Sequence, residues 1–272
     1  MARVRSPIAL LTDFGQRDHY VGVMKGVIAT IAPGAAVVDI THGVPAQSVA
    51  AGAIVLRQSW RYFPPGTIFV AVVDPGVGSA RRALAIGTRA RRIFVGPDNG
   101  LLHGAAEEAG ISEAVELRAA RYRLSGVSST FHGRDIFAPA AAHLWRGVKL
   151  SLLGLRVGQI ERCNLAWARG TGQTLSGEVI YVDSFGNLIT NIDRETLKRF
   201  AARFRAGRLW VTIGGRESPL AIVETYASVP TGSPGAIFGS FETIEVAVRD
   251  GNAARRLRAQ VGTPVQVHAA QS

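Results

Sequence analysis

Four short apolar runs in the first half of the chain each carry an acidic residue at or just beyond their carboxyl end, and helical patterns separate the first three of them. Ile8–Thr12 ends at Asp13-Phe14-Gly15, Ala36–Ile40 contains Asp39, Thr67–Val73 ends at Asp74, and Arg92–Val95 leads into Gly96-Pro97-Asp98-Asn99. His19–Ile31 sets Val23, Val27 and Ile31 at helical spacing with Tyr20, Met24 and Ile28 beside them, and Pro33-Gly34 stops it. Gln47–Phe63, Leu101–Ala109 and Asp135–Trp145 are the other predicted helices. Buried strands alternating with helices of this length predict a doubly wound, mainly parallel α/β sheet.

The pattern changes near Arg169-Gly170-Thr171-Gly172-Gln173, a small polar stretch expected to be a linker. Beyond it come short strand-like runs at Glu178–Val182, Leu209–Ile213, Leu220–Val223, Ala236–Phe238, Thr243–Val248 and Pro264–Val267, with one helix at Arg194–Arg205. Short strands with Gly and Pro punctuation predict a small β-barrel or sandwich. The expected organisation is an α/β domain over 1–168 and a β-barrel domain over 174–272.

Composition narrows the class. With 272 residues, 47% of them hydrophobic and 19% charged, the chain can bury a core and is not of the disordered type. No apolar run approaches the ~20 residues of a membrane span. The apolar start Ile8–Leu11 is too short for a signal-peptide core, so a soluble, cytoplasmic protein is expected. Cys163 is the only cysteine, which rules out an intrachain disulfide and a Cys-rich zinc site. The net charge of +11 permits a nucleic-acid surface. The arginines are nevertheless scattered, with no long run and no interleaved stacking aromatics, and they read as solvated helix faces rather than a nucleic-acid site.

In a parallel sheet, ligands bind at the carboxyl ends of strands, so Asp13, Asp39, Asp74 and Asp98/Asn99 are the positions to weigh. Any one of them has the bland alternative of a turn or helix cap. The glycine-containing loop Asp74-Pro75-Gly76-Val77-Gly78-Ser79-Ala80-Arg81 lacks the Gly-Lys-Ser/Thr of a triphosphate loop, and no G-x-G-x-x-G occurs. Phe131-His132-Gly133-Arg134-Asp135 offers a histidine suited to proton transfer near neutral pH. The six histidines lack metal-ligand spacing, no G-x-S-x-G elbow is present, and no metal or organic cofactor is indicated. In the second domain, Asp183 through Ile192 packs acid, aromatic and amide groups into one turn, a binding site or a β-turn at a barrel rim.

Taken in order, Leu11–Gly15 with Asp18, Lys25-Gly26, Val38–His42, Val73–Gly78 with Arg81, Gly96–Leu101, Phe131–Asp135 and Asp183–Ile192 resemble the S-adenosyl-L-methionine (SAM) hydrolases. These are the SAM hydroxide adenosyltransferases, relatives of the fluorinating and chlorinating enzymes. The resemblance implies an α/β domain followed by a β-barrel, and homotrimers with the site at subunit interfaces. It also implies that Asp74, Arg81 and His132 hold and activate water. Asp13 is implied on the ribose hydroxyls, Asp18, Asp183 and Ser240 near the methionine moiety, and Phe185 and Asn187 near the adenine. Around Ser240 the sequence departs from the family's pattern, reading Gly239-Ser240-Phe241-Glu242. Halogenating relatives carry tyrosines where Asp74 and His132 stand, so hydrolysis to adenosine and L-methionine is the expected activity, with SAM as substrate and no cofactor. The alternatives are chlorinase-like transfer of adenosyl to halide, or adenosine or nucleic-acid binding without turnover.

Overall fold

In the computed structural model, which describes residues 6–163, 168–204, 206–215 and 219–271, the chain divides into two units, Met1–Asn164 and Leu165–Ser272. The two arginines of the first five residues, and Arg205 at the end of one predicted helix, lie outside the described residues.

The first unit contains β1 (Ile8–Thr12), α1 (Tyr20–Ile31), β2 (Val37–Thr41), α2 (Val49–Ser59), β3 (Ile68–Val72), β4 (Ala83–Thr88), β5 (Ile93–Pro97), α3 (His103–Glu108), β6 (Ile111–Leu117), α4 (Ala138–Trp145) and β7 (Gly154–Arg156). They form one sheet in the order β2-β1-β3-β5-β4-β6-β7. The pairs β2–β1, β1–β3 and β3–β5 are parallel, while β4, β6 and β7 continue the sheet in antiparallel pairs. Every residue of β1 and β3 is buried, as expected of strands covered on both faces. Alternate side chains therefore serve two cores. Ile8, Leu10, Ile68, Val70 and Val72 pack with Met24 and Ile28 of α1 and with α4. On the opposite face α2 comes so close that a Cβ on Gly52 would lie 2.8 Å from Leu101 Cδ1, with Val73 and Leu11 beside it.

Three expectations need correcting here. The strand predicted as buried at Ala36–Ile40 is β2, at the sheet edge with β1 as its one neighbour, and its residues are partly or well exposed. The helix read at His19–Ile31 is α1, which buries Val21, Met24 and Ile28 and packs Val23 and Val27 against the same core. Strands β4, β6 and β7 add to the predicted set; mixed sequences such as ISEAVEL blur the two-residue period. The predicted helix at Asp135–Trp145 is split into a π-helical turn, Gly133–Phe137, and α4.

The second unit contains β8 (Arg169–Thr171), β9 (Thr174–Val182), β10 (Leu188–Asp193), α5 (Arg194–Phe204), β11 (Ala206–Ile213), β12 (Leu220–Val223), β13 (Pro234–Phe238), β14 (Thr243–Val248), α6 (Ala253–Leu257) and β15 (Pro264–Gln271). The order β10-β14-β13-β12-β11-β15-β9 is closed by pairing of β10 with β9, making a barrel of seven strands with β8 attached at β9. Closure removes the free edges an open sheet would present. The interior is filled by Val179, Leu188, Val211, Ile213, Ile244, Val246, Val265 and Val267. Two further corrections fall here. Arg169–Thr171 is not a linker but a strand paired with β9 across a two-residue turn, where Gly172 takes a φ of 55°. Asp183–Ile192 is not one turn: Asp183–Asn187 turns, and Leu188 onward is a buried barrel strand.

Candidate active site

Strand order reverses at β1, because β1 is flanked by β2 on one side and β3 on the other. In open α/β sheets the crevice beyond such a point is where ligands bind. Asp13 follows β1 and Asp74 lies two residues past β3, so both stand at this crevice.

The loop after β3 folds on itself. Val77 N–H donates to the Asp74 carbonyl, Ser79 N–H and Oγ to the Gly76 carbonyl, and Arg81 N–H to Ser79 Oγ. These turns bring Arg81 back onto Asp74: Arg81 Nε donates to Oδ1 at 2.9 Å and Nη2 to Oδ2. The pair is enclosed, with 9% of the Arg81 and 5% of the Asp74 side chain exposed. The Arg81 guanidinium also lies 5.5 Å from the centre of the Phe137 ring.

His132 completes the cluster from a second loop. Its Nδ1 is 2.6 Å from Arg81 Nη2. An arginine can only donate, so Nδ1 is the acceptor, and the neutral imidazole carries its proton on Nε2. Burial pushes the His132 pKa down and the Arg81 charge pushes it further, against a weaker pull from Asp74. The π-helical turn that begins at Gly133 adds a residue to the ordinary helical repeat directly after His132, a distortion frequent at functional sites. Asp135 anchors this loop: it is 1% exposed and accepts from Arg134 Nε at 2.6 Å and from Ser128 N–H at 2.8 Å. Those donors hold its pKa down in spite of its burial. The two loops meet at Gly78, where φ is +77° and a Cβ would stand 2.4 Å from the Ser129 carbonyl oxygen. Only glycine satisfies both demands.

The remaining acids divide. Asp13 is partly buried, and its Oδ2 accepts from Gln47 N–H at 2.7 Å. Asp18 is exposed, in the bends before α1. Phe14, Tyr20 and Phe131 form an aromatic cluster, with ring centres 5.2–5.9 Å apart, next in sequence to Asp13 and His132. Asp98 and Asn99, also weighed at strand ends, each brace a neighbouring segment. Asp98, its side chain 3% exposed, accepts from Arg82 Nε at 2.7 Å and from Glu161 N–H at 2.8 Å. Asn99 Nδ2 donates to the Val73 carbonyl, which fixes the residue before Asp74. Asp39 lies inside β2 and takes Lys25 Nζ at 2.6 Å. The supporting roles of Asp135, Asn99 and Gly78 carry no signal in spacing, because they arise where loops from separate strands touch.

Within the barrel unit, Asp183 and Asn187 tie their turn together. Asp183 Oδ1 accepts from Phe185 N–H at 2.9 Å and from Asn187 N–H at 2.8 Å, and Asn187 Nδ2 donates to Oδ2 at 2.9 Å. The Phe185 ring stands out, 75% exposed. Ser240 is exposed in the tight turn between β13 and β14, where Glu242 N–H donates to the Gly239 carbonyl. Among the described residues no cluster of three or more His, Cys, Asp or Glu side chains could hold a metal ion, and no helix is long and apolar enough to cross a membrane.

Residues 8–154 match the family model for the SAM hydroxide adenosyltransferase N-terminal domain, and residues 177–266 the model for the C-terminal domain. A curated relative from Thermus thermophilus, named (R)-S-adenosyl-L-methionine hydrolase, is 40% identical over 270 residues, 96% of this chain and 99% of that protein. A fluorinase from an Actinoplanes species is more distant, 30% identical over 81% of this chain and 83% of its own. Among solved structures, an uncharacterized conserved protein from Thermotoga maritima superposes with a TM-score of 0.87 at 37% identity, covering 96% of this chain and 99% of that one.

Proposed function

The chain belongs to the SAM hydroxide adenosyltransferase family, and from that premise we propose that it hydrolyses S-adenosyl-L-methionine to adenosine and L-methionine by attack of water or hydroxide on ribose C5′. The observation that carries the reading is the enclosed Asp74–Arg81–His132 cluster, which holds donors and acceptors of a kind that suits a small oxygen nucleophile.

The sulfonium leaves as a neutral thioether, so the leaving group needs no general acid. The difficulty is the weak nucleophile, and the cluster addresses it. With Nδ1 taken by Arg81, His132 presents Nε2–H as a donor to the oxygen of a bound water. Asp74 keeps a second lone pair on each oxygen beyond those used by Arg81, and is the group placed to receive the water's proton. The Arg81 charge favours hydroxide over water. Enclosure strengthens each of these interactions and strips solvent from nucleophile and sulfonium alike. Asp13 is assigned to the ribose hydroxyls, Asp18, Asp183 and Ser240 to the methionine moiety, and Phe185 and Asn187 to the adenine. A homotrimer is part of the proposal, and sedimentation velocity measures it.

The test is incubation of the purified protein with SAM in chloride-free buffer, with and without added chloride, followed by chromatography. Adenosine and methionine in both samples are the expected products. A 5′-chloro nucleoside formed with chloride would move the protein to the halogenating branch, and intact SAM in both would leave binding without turnover. Asp74→Ala and His132→Ala are expected to lose hydrolysis; wild-type rates in both would sink the assignment.

A further inference from the structure

The segment Val38–His42 and the facing Lys25 have no part in the Asp74 cluster, yet they reach into the turn that carries Asp13. Between the pairs Leu10–Asp39 and Leu11–Thr41 the register of β1 on β2 steps by one, leaving Ile40 as an extra residue in β2. Such a bulge re-aims the side chains that follow it. Beyond it His42 is 2% exposed. Its Nδ1 lies 2.8 Å from Thr12 Oγ1, and its Nε2 lies 3.1 Å from Asp39 Oδ1, close but off the line of a good hydrogen bond. Lys25 Nζ donates to the other Asp39 oxygen at 2.6 Å. The Lys25 hydrogen bond and the adjacent His42 ring hold the Asp39 carboxyl below its usual range, outweighing a burial that pushes it up. An ionised carboxylate only accepts, so the proton sits on His42 Nε2, and Nδ1 accepts from the Thr12 hydroxyl.

Hydroxyl, imidazole and carboxylate in a row have the composition of a nucleophile triad. Two observations remove that role. Thr12 is wholly buried, out of reach of any substrate. The imidazole is also turned end for end, with Nδ1 on the hydroxyl where a triad uses Nε2. The remaining contacts all lead to the next turn. Thr12 Oγ1 accepts from Phe14 N–H at 3.2 Å, and the His42 carbonyl accepts from Gly15 N–H at 2.8 Å. Both bonds close over Asp13, whose Oδ2 is occupied by the amide of Gln47, a non-glycine residue at φ 64°.

We propose that His42 is a positioning residue for Asp13: through the Thr12 hydroxyl its imidazole fixes the turn so that Asp13 Oδ1 meets a ribose hydroxyl. The inference rests on the reading above, in which Asp13 binds the ribose. It locates the determinant of ribose affinity in a buried side chain on a different strand from the carboxylate.

The experiment is calorimetric titration of the full-length protein with adenosine, the reaction's product, as wild type, Asp13→Ala, His42→Ala, the double variant and His42→Asn. His42→Ala is expected to weaken adenosine on the order of tenfold, because it orphans the Thr12 hydroxyl under the turn. His42→Asn, whose amide oxygen can take the place of Nδ1, is expected to stay within about threefold. In the Asp13→Ala background, His42→Ala should change affinity by less than about twofold, because the two act through one contact. Thr12→Val, nearly isosteric, breaks the same chain and runs through the same cycle should His42→Ala not fold. Independent factors that multiply in the cycle, unchanged affinity in His42→Ala, or no rescue by His42→Asn would overturn the proposal. A wild type that binds no adenosine would instead overturn the ribose reading itself, and the inference with it.

Discussion

Removing Arg81 tests the site most directly, because its side chain is the only link between Asp74 and His132 among the contacts described. In Arg81→Ala the Asp74 carboxylate, 5% exposed, loses both guanidinium contacts and the neighbouring charge. Breaking a buried ion pair from one side costs about 3–5 kcal/mol. Arg81→Lys keeps the charge but gives up the fork, and one or two charge-assisted hydrogen bonds at ~1.5–3 kcal/mol each place its cost near the lower end. In Asp74→Ala/Arg81→Ala no charge is left stranded, so the double variant should be more stable than the sum of the single losses predicts, by about 2–3 kcal/mol. Catalysis follows a different rule: the three residues act as a unit, so each single variant should lose about 100–1,000-fold in kcat and the double little more. The assay is urea unfolding followed by fluorescence of Trp60 and Trp145, both in the first unit, with Trp167 and Trp210 replaced by Phe, alongside product formation from SAM. Strictly additive stability losses would refute the argument, since they would mean that the ion pair holds nothing together.

Three further outcomes are expected. His132, with its pKa lowered, stays neutral below the usual 6.5, so activity should persist through that range and fall only on further acidification. Since unfolding restores the ordinary pKa, the stability this group contributes is present above 6.5 and declines as pH falls towards the folded value. NMR titration of the His132 ring reads the midpoint directly, and Arg81→Gln should move it up; a downward shift would contradict the assigned cause. Gly78→Ala forces a Cβ into the Ser129 carbonyl and should cost about 1–3 kcal/mol with loss of hydrolysis. Wild-type activity there would show that the two loops need not touch. Asp98→Ala releases the Glu161 amide and the Arg82 guanidinium. Limited trypsin digestion should then cut after Arg162, and an uncut chain would argue that Asp98 does not hold that segment.

Much of the fold is legible in the sequence where burial is two-sided. Ile8–Thr12 and Ile68–Val72 are continuous apolar runs because helices cover both faces of the sheet, and β12 and β14 fall on the predicted residues. The edge strand β2 looks the same in one dimension, since VVDI does not reveal how many neighbours it has. Leu188–Asp193 is masked in the sequence by the turn before it, whose Asp, Phe and Asn carry turn rather than strand character. Among the acids, position after a strand does not by itself distinguish Asp74 from Asp98. Asp98 occupies the same kind of place as Asp74, and the difference lies in Arg82 and Glu161.

What the sequence determined by itself is which chemistry is present and in what order: alternating periods for an α/β unit, short strands for a barrel, and the ordered segments containing Asp13, Asp74, Arg81, His132 and Asp183. Periodicity and side-chain type are local properties, and one dimension records them in full. Tertiary structure alone decided that Arg81 turns back onto Asp74, that His132 accepts rather than donates at Nδ1, and that His42 underlies Asp13. Each of these depends on distances between loops that follow different strands. Such distances are set by strand order, one bulge and one glycine contact, and none is encoded in the spacing of the residues they join.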